Sequence, residues 1–265
     1  MQTVVELKRA QKIDEETVAA FVVLENKKVF DDVELFYNKT FLGASLKQIA
    51  ENVVKNYNYS TITINEGDYE AALSQIALGS KKAETVVVIF ADACIIEDAV
   101  LSHAINDAAT EGIINLNKSF VCTKKQLKNV TMQKVAATTL YSHARENMVI
   151  ENGVYISDLE FALQNVIVHN LVKKGVKFLS LTDIKIDFSV KIASGTIINA
   201  GATIINNSVI ERDCFIEHAT IKNSFVAKES KITDVVLDCA QIKSAKVITG
   251  VKGQEPPTIK QVTIE

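Results

Sequence analysis

From Ile184 to Ile248 the chain reads IKIDFSVKIASGTIINAGATIINNSVIERDCFIEHATIKNSFVAKESKITDVVLDCAQIKSAKVI, and this stretch decides the architecture. An aliphatic residue recurs at Ile186, Ile192, Ile198, Ile204, Ile210 and Ile216, always six apart. The spacing tightens to five at Ile221 and Val226, and the series runs on through Ile232, Leu237, Ile242 and Val247. Small side chains stand four places after successive anchors, at Thr196, Ala202, Ser208, Cys214 and Thr220. Six residues make one short strand and one turn, and three such units close a coil of a β-helix. Stacked aliphatic groups fill the axis, and the crowded corners need small residues. A sandwich would place its turn signals every ~8–12 residues instead. The span predicts roughly four coils ending near Gly250, with the tail GQEPPTIKQVTIE covering the open end as a cap must. Ile197, Ile205, Phe215 and Phe225 alternate with the anchors and are predicted to face outward, forming an apolar stripe suited to a subunit interface.

Upstream of Gly175 the period changes. Thr17 to Leu24 (TVAAFVVL) reads as a buried strand, and Leu46 to Tyr57 as an amphipathic helix capped by Ser45. A strand at Tyr59 to Ile64 and a helix at Tyr69 to Leu78 follow, with Gly79 placed to end the helix. Glu84 to Phe90 (ETVVVIF) is β-branched throughout, which implies burial on both faces, and Asp92 follows at its carboxyl end. Further elements are a helix at Ala99 to Ala109 stopped by Gly112, one strand at Ile113 to Val121, helix over most of Lys125 to Asn147, a short strand at Gly153 to Ile156, and a helix at Leu159 to Lys174. Alternating β and α at these lengths predicts a doubly wound α/β domain over residues 1–178, a β-helix over 179–250 and a tail over 251–265.

Composition narrows the function classes. A chain of 265 residues, 48% hydrophobic and 23% charged, is a globular protein of one or two domains. A net charge of −3 gives no general attraction for nucleic acid or anionic membrane. The lysine pairs Lys27-Lys28, Lys81-Lys82, Lys124-Lys125 and Lys173-Lys174 read as solvated element ends. No apolar run reaches the ~18 residues of a membrane span, and no secretory signal is recognised, so a cytoplasmic location is expected. Cys94, Cys122, Cys214 and Cys239 are widely spaced in apolar or alternating stretches and read as small hydrophobes.

Several segments carry a family resemblance in order: FVVLEN (Phe21 to Asn26), FLGASLKQIAENVV (Phe41 to Val54), VVVIFADACIIEDAVLSHAI (Val86 to Ile105) and NLVKKGVKFLSLTDIKIDFSVKI (Asn170 to Ile192). Together with the domain order, they make the chain resemble the sugar-phosphate nucleotidyltransferases that carry a C-terminal left-handed β-helix. The nearest are the bifunctional UDP-N-acetylglucosamine pyrophosphorylase/glucosamine-1-phosphate acetyltransferases. The resemblance implies a Rossmann-like nucleotidyltransferase domain, a homotrimer built through the β-helix, a nucleotide-sugar ligand and Mg²⁺ held by Asp92.

The departures shape the functional expectation. Where the family has a glycine-rich phosphate loop, this chain has Glu25-Asn26-Lys27-Lys28-Val29-Phe30-Asp31-Asp32, without glycine or arginine. Backbone approach to phosphate needs glycine there, and the carboxylates of Glu25, Asp31 and Asp32 would repel a triphosphate. The base-reading loop is replaced by EAALSQIALG, and the second metal ligand, an Asn in the family, is replaced near Ile156 to Leu159. Asp92 alone matches the metal position, and a strand-end carboxylate is its plain alternative. The candidate site residues are Asn26, Lys27 and Lys28 for nucleotide, Asp92 for metal, and Lys39 or His218 for catalysis. The expectation is a catalytically degenerate relative that serves as a binding, regulatory or scaffolding subunit. The alternatives are an active Mg²⁺-dependent uridylyltransferase with a rebuilt loop, and an acetyl-CoA-dependent hexapeptide acyltransferase using His218.

Overall fold

The computed structural model describes residues 17–28, 35–144, 147–150, 156–250, 256–260 and 263–264. Its first half is a mixed sheet with helices against both faces. β1 (Val18–Asn26) lies between β4 (Asn58–Asn65) and β5 (Thr85–Phe90) and is parallel to both. A small antiparallel pair, β2 (Thr40–Phe41) and β3 (Ala44–Ser45), leads into α1 (Leu46–Val53). Ser45 caps α1 with a reciprocal bond to Gln48, as its position before the helix predicts. α2 (Tyr69–Gly79) connects β4 to β5, and α3 (Asp98–Glu111) leads to the outer strands β6 (Ile113–Leu116) and β7 (Ser119–Thr123).

The sheet order is β4-β1-β5-β7-β6, and β7 runs antiparallel to both its neighbours. The single strand expected at Ile113 to Val121 is therefore a hairpin. Asn117 and Lys118 both take positive φ, 63° and 69°, as a two-residue hairpin turn with right-handed strand twist requires. This turn makes the sheet mixed.

Alternation along the strands sorts the core into two. Ala20, Val22 and Leu24 join the side chains of α1 and α3, whereas Phe21 and Val23 join Ala72 and Ile76 of α2. Gly79 does not act as a left-handed stop but is the last residue of α2. It is needed small because a Cβ there would come within 2.9 Å of the Phe21 ring. The long helix expected over Lys125 to Asn147 is two short ones, α4 (Lys124–Leu127) and α5 (Met132–Ala137), because Thr123 and Thr131 each cap a new start. The strand expected at Gly153 to Ile156 lies outside the described residues except for Ile156, which opens α6 (Ile156–Lys173).

The second half is three parallel sheets of five strands each, stacked as a β-helix requires. One sheet pairs Ile198 with Ile216, Ile216 with Ile232 and Ile232 with Ile248. Successive turns take 18 residues from Ile192 to Ile210 and 16 from Ile210 to Val226, which is the tightening seen in the sequence. Each sheet is five strands deep where roughly four turns were expected, because both ends contribute. Lys177–Phe178 pairs onto Ile197–Ile198, and Thr258–Lys260 and Thr263–Ile264 add the last strands.

One anchor and one corner assignment need correction. Val247 is 75% exposed, and Ile248 takes the interior place because the step from Ile242 reverts to six residues. Thr220 points outward while Ala219 is buried, because the turn has already shortened there. The outward apolar residues also differ from expectation. Ile197 and Phe215 are neighbours on one sheet, but Phe225 lies on a second and Ile205 on the third, and all four are half-buried. They do not form one stripe. Of the cysteines, Cys94, Cys122 and Cys214 are buried as predicted, and Cys239 is exposed.

The two halves share one continuous apolar cluster, from Val22 and Leu163 to the β-helix axis at Ile186 and Ile204. The joint is also pinned by backbone. Phe188 N–H donates to the Leu42 carbonyl at 2.8 Å, and Ile186 N–H donates to the Gln164 side chain at 3.0 Å.

Candidate functional site

Four charged side chains meet beyond the carboxyl ends of β1 and β5. The chain leaves β1 toward β4 on one side and reaches β5 on the other, so the strand order reverses there. Such a switch point is where open α/β sheets form their ligand crevices. Glu25 continues the face of Phe21 and Val23, Asp92 that of Val88 and Phe90, and Lys118 that of Phe120 and Cys122. Glu25 is delivered there by the two-residue period of β1, Asp92 by the single 3-10 turn Ala91–Ala93 that ends β5, and Lys118 by the positive-φ turn between β6 and β7. Lys27 follows Glu25 by one more step.

The four groups form a closed ion cluster. Lys118 Nζ donates to Asp92 Oδ2 at 2.6 Å and also to Glu25 Oε2. Lys27 Nζ donates to Asp92 Oδ2 and lies 3.8 Å from Glu25 Oε2. Glu25 accepts a further bond from Gly67 N–H at 3.2 Å. All four side chains are buried or nearly so, the most accessible being Lys118 at 12%. Two carboxylates and two ammonium groups leave the cluster formally neutral.

Aromatic rings wall the cluster. Lys118 Nζ stands 5.4 Å from the Tyr69 ring centre and 5.0 Å from that of Phe90, and Lys27 Nζ stands 5.7 Å from Phe36. Burial pulls the Lys118 ammonium toward neutrality, but Asp92 and Glu25 outweigh it and hold its pKa well above the ordinary lysine value. Burial likewise raises the Tyr69 hydroxyl, with Lys118 pulling down and Glu25 pushing up.

Neutral polar side chains hold the two loops in position. Asn147 accepts from Ile95 N–H at 3.0 Å and donates to the carbonyls of Ala93 and Leu116. It thereby ties the turn bearing Asp92 to the hairpin bearing Lys118. Ser119 donates to the Ala93 carbonyl at 2.7 Å and accepts from Phe90 N–H at 3.0 Å. Asn115 accepts from Asn117 N–H at 2.8 Å inside the turn itself.

The candidates read from the sequence separate in space. Lys27 and Asp92 are brought into direct contact. Asn26 is exposed beside them and accepts from the Tyr37 hydroxyl at 3.3 Å, whereas Lys28 is exposed at the rim. Lys39 follows the short turn Phe36–Asn38 and is half-buried, its carbonyl accepting from Leu46 N–H at 3.3 Å. His218 sits on the β-helix in a left-handed conformation, its ring over Gly201. Its Nδ1 is 3.7 Å from Asp234 Oδ1, beyond hydrogen-bond length and short of a base-orienting pair. Asp31 and Asp32 lie outside the described residues.

Sequence reasoning missed Lys118 as a site residue and treated Glu25 only as a repulsive charge. The Asn-Lys pair between two apolar runs is a weak turn signal, since such turns favour Asn-Gly. A divalent cation does not fit the donor set as it stands, because two ammonium groups already neutralise the carboxylates and both engage Asp92 Oδ2. Among the described residues, no group of three or more His, Cys, Asp or Glu is placed to hold a metal. No protein-family model matches the chain, and no curated protein is significantly similar to it. No helix among the described residues is long and apolar enough to cross a membrane.

Proposed function

We propose that this chain is a catalytically degenerate relative of the sugar-phosphate nucleotidyltransferases, nearest to the UDP-N-acetylglucosamine pyrophosphorylases. It acts as a binding, regulatory or scaffolding subunit. In this reading residues 1–178 form the former catalytic domain, 179–250 the left-handed β-helix and 251–265 its cap. The observation that carries the reading is the engagement of Asp92, at the position the resemblance gives to the metal ligand, by Lys27 and Lys118. A neutral, walled cluster offers a triphosphate no net attraction, and its phosphates would have to break buried ion pairs to enter. A homotrimer rests on the resemblance alone, since the outward apolar residues are divided among three faces.

Isothermal calorimetry with UTP and with UDP-N-acetylglucosamine, each with and without Mg²⁺, tests the proposal. No heat of binding from folded protein at millimolar ligand is the expected result. Binding of UTP that strengthens with Mg²⁺ would overturn it in favour of an active uridylyltransferase.

A further inference from the structure

We propose that Lys118 and Lys27 are resident cations standing in for a divalent metal at the switch point, so that this site binds no divalent ion. The inference deepens the reading above and rests on it for the position of the metal. Three observations carry it. First, Lys118 Nζ bridges the two carboxylates, donating to Asp92 at 2.6 Å and to Glu25, as a shared cation would. Second, the bridge is built rather than incidental. Lys118 is the second residue of a turn whose two members both take positive φ; Asn115 braces that turn from within, and Ser119 and Asn147 lock it to the Asp92 loop. The rings of Tyr69 and Phe90 flank its head group. Third, no buried side-chain polar atom of the cluster is left without a partner. Among the described residues, the one buried side-chain polar atom without a partner is Gln164 Nε2, at the joint with the β-helix.

Charge explains the consequence. A dication entering between two buried ammonium groups meets repulsion from both and finds Asp92 Oδ2 and Glu25 Oε2 already engaged. Removing the lysines uncovers two adjacent carboxylates in a buried pocket, which is the arrangement that hard cations seek.

Manganese is the probe, followed by electron paramagnetic resonance of free Mn²⁺ and by thermal melts with and without Mn²⁺. The wild type is expected to bind no Mn²⁺ that Asp92→Asn removes. Lys27→Met/Lys118→Met is expected to bind one Mn²⁺ at least about tenfold more tightly than the wild type and to melt higher when it is present. Should the double variant be unfolded without metal, Lys118→Met alone is read by the same two assays, with the same expected direction. Lys118→Arg keeps the charge and should stay metal-free.

Wild-type Mn²⁺ binding abolished by Asp92→Asn, or a folded lysine variant with no gain in affinity, would overturn the inference. The two failures are distinguishable from that of the functional reading. UTP binding by the wild type that strengthens with Mg²⁺, with no Mn²⁺ binding that Asp92→Asn removes, would sink the functional reading yet leave the resident cations standing.

Discussion

Removing Lys118 should be among the most damaging single changes available in the α/β half, and the structure gives its size. Lys118→Met keeps the length of the side chain and deletes the charge that bridges Glu25 and Asp92. Lys27 would then face both carboxylates alone, at 3.8 Å from Glu25, and the buried cluster would change from neutral to −1. A pair of unit charges about 4 Å apart in an effective dielectric of about 20 is worth about 4 kcal/mol. Breaking a buried ion pair by deleting one partner costs about 3–5 kcal/mol in general. The expected loss is therefore about 3–4 kcal/mol, against a total stability of roughly 5–15 kcal/mol for a native protein.

The chain has no Trp, so urea unfolding is followed by tyrosine fluorescence, to which Tyr69 at the cluster contributes, and by far-ultraviolet circular dichroism. The partner variant makes the test specific. In Glu25→Gln/Lys118→Met the remaining Lys27 and Asp92 form a balanced pair, so the double change should cost at least about 2 kcal/mol less than the single one. A loss below about 1 kcal/mol for Lys118→Met, or a double variant no better than the single, would refute the buried-cluster reasoning.

The alkaline limb of stability carries two further signatures. Burial holds the thiols of Cys94 and Cys214 above their ordinary value and pushes Cys122 up to about 12, so the unfolded chain releases these protons first. Stability should start to fall above about pH 8.5 and steepen above about pH 10.4, where unfolded Lys118 deprotonates while the folded group keeps its proton. Denaturation midpoints measured from pH 7 to 11 should show the steeper part reduced in Lys118→Met, the raised Tyr69 and Tyr141 hydroxyls keeping the remainder, and the shallower part persist. In the β-helix, Ile216→Ala should cost about 3–4 kcal/mol, since the side chain is fully buried between Ile198 and Ile232. Phe225→Ala should cost less than half as much by the same urea assay, despite the larger side chain, because its position is outward and half-buried. Equal losses would mean that the alternation has been assigned to the wrong residues.

The β-helix was legible because its periodicity is imposed by closure. Each turn must return an aliphatic group to the axis, so six-residue spacing is written directly into Ile186 through Ile216. Its errors arose where spacing changes. After Ile216 the turns shorten from 18 to 16 residues, and the sequence does not say which corner loses a residue. Ala219 and Ile248 consequently lie one place from where regular extrapolation sets the corner and the axis. In the α/β half, strong strands such as Thr85–Phe90 were equally plain, since a β-branched run leaves few other outcomes. The two Thr-capped restarts at α4 and α5 were less visible because threonine is common in many settings.

The site was half legible, and the missing half changes its chemistry. Lys27 and Asp92 were singled out through the family resemblance, one at the place of its phosphate loop and the other at the place of its metal ligand. Read alone, they suggest a phosphate-binding cation beside a metal-binding carboxylate. Glu25 and Lys118 convert the same two residues into a saturated cluster. Lys118 is distant in sequence and reaches the site only because residues 113–123 fold back on themselves, which depends on two successive residues tolerating positive φ. Without glycine, that tolerance comes from Asn117 and from the hydrogen bonds that hold it, including its side-chain amide on the Asn147 carbonyl at 2.6 Å. A continuous strand over the same residues would place Lys118 inside the sheet and leave Asp92 without this partner. The electrostatic character of the switch point is thus set by a turn, and the turn by its tertiary contacts, which is why the resemblance pointed to two of the residues but not to their state.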